Sequence, residues 1–259
     1  MIRWIKQFFD KTEKGLIYTV VGHEKYSKLA VVSAQSVKKY NPELPITLFC
    51  DKQYKTVDYS LFDEVILIDR EPYLWSNRMK AMLRSPYKKT LYLDADSYIL
   101  DDIEDMFVLL DKFDYAIAHG GNRIKRHYNA IKDVAVNKSI PYAFAPLGGG
   151  TQLIRKNKKT QCFLKNLLKT SIEKNYYDDQ VSIRELLREN SCKLKFYILP
   201  MEFRIGQLTF IEIWGKGINS AIPKIFFYTQ TQNNSTHKNN IEKAIEITKN
   251  IKKTEGILQ

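Results

Sequence analysis

The chain has 259 residues, of which 44% are hydrophobic and 12% aromatic, with 16 Tyr and 13 Phe. That is ample for one large core and excludes a chain disordered by composition. The formal net charge of +12 points to an anionic partner without choosing among nucleic acid, anionic lipid and acidic glycan. Cys50, Cys162 and Cys192 are few and lack metal spacing, so they read as reduced, mostly buried thiols. No apolar run reaches the ~20 residues that cross a bilayer. Met1 to Phe9 lacks the longer apolar region and cleavage site of a signal peptide, so a cytoplasmic protein is expected.

Met1 to Gly15 carries Trp4, Ile5, Phe8 and Phe9 at helical spacing, a short amphipathic segment that either docks on the fold or dips into a membrane surface. Leu16 to Val21 is an apolar strand that exits into Gly22-His23-Glu24-Lys25-Tyr26. Helical periodicity follows from Ser27 to Tyr40 and stops at Asn41-Pro42. Pro45 to Cys50 and Glu64 to Ile68 read as strands, and Met79 to Leu83 belongs to a helix that also carries Arg78 and Lys80. Alternation of strands with helices predicts βαβ units and a largely parallel sheet.

The stretch Thr90-Leu91-Tyr92-Leu93-Asp94-Ala95-Asp96 is a short buried strand running into two carboxylates. A strand alternates faces, so Asp94 and Asp96 project the same way if it continues through them. Paired hard oxygens suit Mg²⁺ or Mn²⁺, and acids at the carboxyl end of a parallel strand suit a ligand crevice. A turn capped by acids is the plainer alternative for a bare Asp-x-Asp.

Downstream, Asp114 to Ala118 is a strand, followed by a basic segment containing Arg123, Lys125 and Arg126. Leu147-Gly148-Gly149-Gly150-Thr151 either lets backbone approach a ligand or makes a bulge or turn. Arg155, Lys156, Lys158 and Lys159 form a second basic cluster before an amphipathic helix, Thr160 to Ile172. Asp178 has the position and chemistry of an N-cap for the helix Val181 to Leu187. Lys193 to Leu199 and Lys224 to Tyr228 are strands, Gln230 to Asn240 reads as a linker, and Ile241 to Ile251 as a closing helix with Ile241, Ala244, Ile245 and Thr248 on one side.

Tyr92-Leu93-Asp94-Ala95-Asp96, followed by Asp101-Asp102-Ile103-Glu104-Asp105-Met106-Phe107, resembles the core motif of GT-A glycosyltransferases. It is most similar to the retaining, family-eight-like enzymes grouped around glycogenin and the lipopolysaccharide galactosyltransferases. The resemblance spans Leu16 to Tyr228. It implies a single-domain α/β fold, a Rossmann-like, mixed but mostly parallel sheet flanked by helices. Residues 1–15 would then be an N-terminal amphipathic segment, 16–230 the GT-A domain and 231–259 a basic helical tail.

It also implies a nucleotide-sugar donor, a UDP-sugar first of all, and Mn²⁺ or Mg²⁺ held on its diphosphate by Asp94 and Asp96. Thr19, Val21 and Tyr26 would contact base and ribose, although Tyr26 packs a helix start equally well. Arg78 or Lys80 would reach the donor sugar or diphosphate; a solvated helix face accounts for both basics as readily. Gly149 and Gly150 would lie beside the donor sugar, with Leu147-Gly148 standing where a polar residue is usual. Asp179 and Gln180 would face the sugar. A third metal ligand is implied after the last strand, where no histidine occurs before His237. His237 reaches back, or Gln230, another nearby residue or water serves instead. The acceptor implied is a glycan or lipid-linked hydroxyl, with peripheral contact to an anionic membrane.

Competing readings fit less of the chain. A phosphohydrolase using Asp-x-Asp expects Thr or Val where Tyr98 stands, and normally uses the first strand. A nucleotidyltransferase needs a glycine-rich basic loop that Val21-Gly22-His23-Glu24 does not supply. A nucleic-acid-binding module would explain the charge, yet no recognition motif accompanies it.

Overall fold

Leu16, Ile17 and Tyr18 have no exposed surface, although consecutive strand residues point to opposite faces. Such a strand must lie in the middle of a sheet that is covered on both sides. The computed structural model describes residues 13–120, 140–141, 143–174, 179–218, 220–230 and 234–257. In chain order its elements are β1 (Lys14–Val20), α1 (Glu24–Tyr40), β2 (Ile46–Cys50), β3 (Glu64–Leu67), α2 (Leu74–Arg84), β4 (Lys89–Leu93), β5 (Ser97–Ile99) and α3 (Leu109–Lys112). There follow β6 (Tyr115–His119), β7 (Leu147–Arg155), α4 (Lys158–Glu173), α5 (Gln180–Glu189), β8 (Phe196–Leu199), α6 (Leu208–Gly215), β9 (Ile225–Phe227) and α7 (Asn234–Thr254).

The main sheet has the order β3-β2-β1-β4-β7-β6-β8. All its pairings are parallel except those of β7, which runs antiparallel to both β4 and β6. On one face Leu16, Tyr18, Leu48 and Leu91 pack against Ala30, Ala34 and Val37 of α1. On the other Ile17, Phe49 and Tyr92 meet Met79 of α2 and Phe163 and Leu167 of α4. A third cluster joins β9 to α6 and α7 through Phe226, Ile211, Trp214, Ala244 and Ile251. Asp101 pins this corner by accepting from Lys224 and Lys252, each at 2.7 Å.

Several expectations are corrected. β4 ends at Leu93, so Asp94 and Asp96 sit on a turn rather than on a continuing strand. The sheet already begins at Lys14, inside the segment expected to be an amphipathic helix. Residues 1–12 of that segment, and Arg123, Lys125 and Arg126, lie outside the described residues. The linker expected over Gln230 to Asn240 gives way to α7, which starts at Asn234; its predicted face holds, with Ala244 and Thr248 buried. α5 begins at Gln180, one residue before the expected Val181, with Asp179 and not Asp178 at the N-cap position; Asp178 lies outside the described residues. Cys162 and Cys192 are not free thiols but a disulfide joining α4 to the turn after α5; Cys50 is free and buried.

Candidate active site

The site forms where β4, β7, α2 and the start of α5 converge. Along β6 the pairing passes from Ile117 opposite Gln152 to Ala118 opposite Gly148, so residues 149–151 of β7 bulge out of that ladder. A bulge re-aims backbone groups, and here it opens a recess. A Cβ on Gly149 would lie 3.0 Å from Asp179 Oδ1, and one on Gly150 would lie 2.7 Å from Asp94 Oδ2. Side chains at these two positions would displace the carboxylates, so the space is kept by glycine.

Arg78 fills the recess. Its Nη1 donates to Asp94 Oδ1 at 3.0 Å and to the Gly149 carbonyl at 3.2 Å, and its Nη2 donates to Asp179 Oδ1 at 2.7 Å. The Asp179 side chain is fully buried and that of Arg78 only 14% exposed, whereas the Asp94 side chain is 37% exposed and faces the cleft. Burial works against the charged guanidinium, but Asp179 and then Asp94 more than offset it and raise its pKa, so Arg78 stays protonated. Tyr92, two residues before Asp94, donates its hydroxyl to Asp94 Oδ1 at 2.7 Å. Burial, reinforced by Asp94, pushes the Tyr92 phenol well above its ordinary value and keeps it a donor.

Asp96 lies on the other side of the turn and accepts from the Thr229 hydroxyl. Burial raises its pKa first and the Asp94 charge raises it further, against the pull of Thr229 and Arg204. Both carboxylates line one cleft of about 290 Å³. Thr19, Val21, Tyr26 and Ala95, all anticipated from sequence, line it too, together with Arg78.

Lys80, Gln180 and His237 are not among the residues that line the cleft. Lys80 pairs with Glu71 and lines a separate depression beside Asp69 and Arg84. Gln180 is the first residue of α5. His237 packs edge-on against Tyr228, ring centroids 5.8 Å apart. Among the described residues no group of three His, Cys, Asp or Glu side chains is assembled to hold a metal. Trp75, Tyr92 and Thr229 line the cleft and were missed. Tyr92 was within reach of strand alternation with Asp94, and Trp75 of helical spacing with Arg78.

The donor set nevertheless fits a hard divalent cation. Asp94 Oδ1 is engaged by Arg78 and Tyr92, its Oδ2 turns toward Gly150, and Asp96 faces the same cleft. Carboxylate oxygens suit Mg²⁺ or Mn²⁺. Two carboxylates leave most of the coordination shell to water or to a phosphate-bearing ligand.

No protein-family model matches the sequence, and no curated protein does. Solved structures match its fold. The galactosyltransferase LgtC, in complex with donor and acceptor sugar analogues, superposes with TM-score 0.59 at 12% identity, covering 90% of this chain and 96% of that one. The glycosyltransferase GlyE of Streptococcus pneumoniae TIGR4 gives 0.58 at 15% identity, covering 93% of this chain and 63% of that one. A glycosyltransferase involved in glycosylating the major capsid of PBCV-1 gives 0.50 at 10% identity, with 90% and 98% covered. The chain therefore has the GT-A fold that its Asp-x-Asp region resembles; at these identities the likeness speaks for architecture.

Proposed function

We propose that the protein is a glycosyltransferase that moves a sugar from a nucleoside-diphosphate donor, UDP-linked first of all, to a hydroxyl of a glycan or lipid-linked acceptor. The observation that carries this reading is one cleft lined by Thr19, Val21 and Tyr26 from the exit of the first strand and by Asp94, Asp96 and Arg78. Such a cleft suits a nucleoside at the exit of the first strand and a diphosphate at the carboxylates.

Asp94 and Asp96 would hold Mn²⁺ or Mg²⁺, which when bound supplies Lewis-acid stabilisation of the leaving diphosphate. The chain's own residues do the rest. Arg78 presents a permanent positive charge to the sugar–phosphate junction, fixed in advance by its acceptors, so no reorganisation is needed as charge develops. Tyr92 holds Asp94 in one orientation through its hydroxyl. Asp179 lies behind Arg78, not open to the cleft, and acts by orienting that guanidinium. Gln180 at the start of α5 is proposed as the residue of this pair nearer the sugar.

A phosphohydrolase reading is disfavoured because both Arg78 and Tyr92 donate to Asp94 Oδ1, which blunts it as a nucleophile. An anionic membrane surface displaying the acceptor is proposed as the partner of the +12 charge. Co-sedimentation with anionic vesicles should fall as salt rises, and equal binding to neutral vesicles would remove that partner. The activity itself is tested by incubating the protein with UDP-sugars and Mn²⁺ without acceptor. Slow release of UDP is expected; phosphomonoester hydrolysis with no UDP release would sink the reading.

A further inference from the structure

Gln152 is a fully buried amide on a strand whose neighbours Leu153 and Ile154 are apolar. Its Nε2 donates to the Gly149 carbonyl at 2.7 Å, and its Oε1 accepts from the Tyr115 hydroxyl at 2.6 Å. A carbonyl can only accept, so the amide nitrogen must face Gly149 and the oxygen must face Tyr115. Burial, with Asp179 nearby, holds the Tyr115 phenol well above its ordinary value and keeps it a donor. The Gly149 carbonyl lies in the bulge, out of the β6 ladder, and its other donor is Arg78 Nη1 at 3.2 Å.

We infer that Tyr115 and Gln152 are positioning residues, a buried relay that fixes the Gly149 carbonyl as the third anchor of Arg78. An unpaired buried amide costs free energy, so an apolar residue would be the ordinary choice at position 152. Gln152 instead satisfies a carbonyl that the bulge has freed, and Tyr115 prevents the amide from flipping. With that carbonyl held, the guanidinium has acceptors on three sides and one orientation toward the cleft. Tyr115 and Gln152 do not line the cleft and would touch no substrate.

The catalytic part of this inference rests on the glycosyl-transfer reading; the anchoring part does not. Gln152→Met keeps the volume and removes both hydrogen bonds, and Tyr115→Phe removes only the lock on the amide, so one variant remains if the other fails to fold. Two quantities are read. The first is donor turnover by folded protein, expected to fall about tenfold or more in Gln152→Met with donor KM nearly unchanged. The second is the guanidinium NMR signals of Arg78, assigned by their loss in Arg78→Lys. They should show slow rotation in wild type and faster averaging in both variants. Unchanged Arg78 signals in well-folded variants, or a rate loss matched by the unfolded fraction, would overturn the relay. If wild type turned over no nucleotide sugar, the transferase reading would fail while the Arg78 signals still decided the anchoring.

Discussion

Arg78 is held by a fork and not by a point charge. Its two terminal nitrogens reach Asp94, Asp179 and the Gly149 carbonyl in one plane of bonding, an arrangement that a lysine ammonium cannot reproduce. Arg78→Lys should therefore lower turnover about 100-fold, the scale of removing one fixed donor from a developing anion. Initial rates beside thermal melts check it, and near-wild-type turnover would show that charge alone suffices. Arg78→Ala is the harsher change, because it removes the cation paired with the fully buried Asp179 carboxylate, the kind of loss that costs about 3–5 kcal/mol. Asp96 calls for the opposite expectation. It is crowded by burial and by Asp94, so Asp96→Asn should leave the melting temperature of the ligand-free protein unchanged or higher. The same change should abolish the mutual strengthening of UDP and Mn²⁺ binding that linkage requires when both share one site. Calorimetric titration of UDP with and without Mn²⁺ measures that coupling; retention of it in Asp96→Asn would move the metal elsewhere.

Elements are tied together by a few polar groups whose partners come from far along the chain. Asp114, at the entry of β6, accepts from Arg155 at the end of β7, from Asn157 at the cap of α4 at 2.8 Å and from the Lys195 N–H before β8 at 3.0 Å. Burial alone would raise its pKa, but these bonds bring it down to about 2. Its unfolded value is ~3.9, so the stabilisation is complete above about pH 4 and is lost as pH falls through about 2. Asp114→Asn should flatten that acid limb and reduce stability at neutral pH by roughly 2 kcal/mol, read from urea melts at several pH values. The Cys162–Cys192 bridge, closing a separation of 30 residues, should contribute about 2–4 kcal/mol, seen as a lower denaturation midpoint on reduction with turnover per folded molecule unchanged. Neither tie was visible in the linear chain. The apolar runs of β1, β2 and β4 announced themselves because strands buried on both faces need unbroken hydrophobic stretches, and Asp94 and Asp96 stood at the end of one. Arg78 and Lys80 were inseparable until the phase of α2 was known. Trp75, Arg78 and Met82 share the face turned to the sheet end, and Lys80 points away to Glu71. The bulge at 149–151 depends on a partner strand some thirty residues earlier, and the cysteine pairing depends on how α4 and α5 lie together.

Across the molecule, two buried carboxylates each gather two cations: Arg155 and Lys159 meet at Asp114, Lys224 and Lys252 at Asp101. Most of the +12 surplus is therefore carried by the other lysines and arginines, and an anionic surface would meet those. The reversed strand bears on how the whole chain comes apart. β3, β2, β1 and β4 form one block of the sheet, β6 and β8 another, and among the described residues β7 is the strand hydrogen-bonded to both. That seam contains three consecutive glycines, which lose more conformational freedom on folding than other residues and offer no side chain to pack. Two of them are there to admit Arg78, Asp94 and Asp179. The backbone joint between the two blocks is thus also the place where the cleft requires glycines. If the two blocks unfold together, they do so through the same few peptide units that shape the cleft, and hydrogen exchange along β7 is the measurement that checks it.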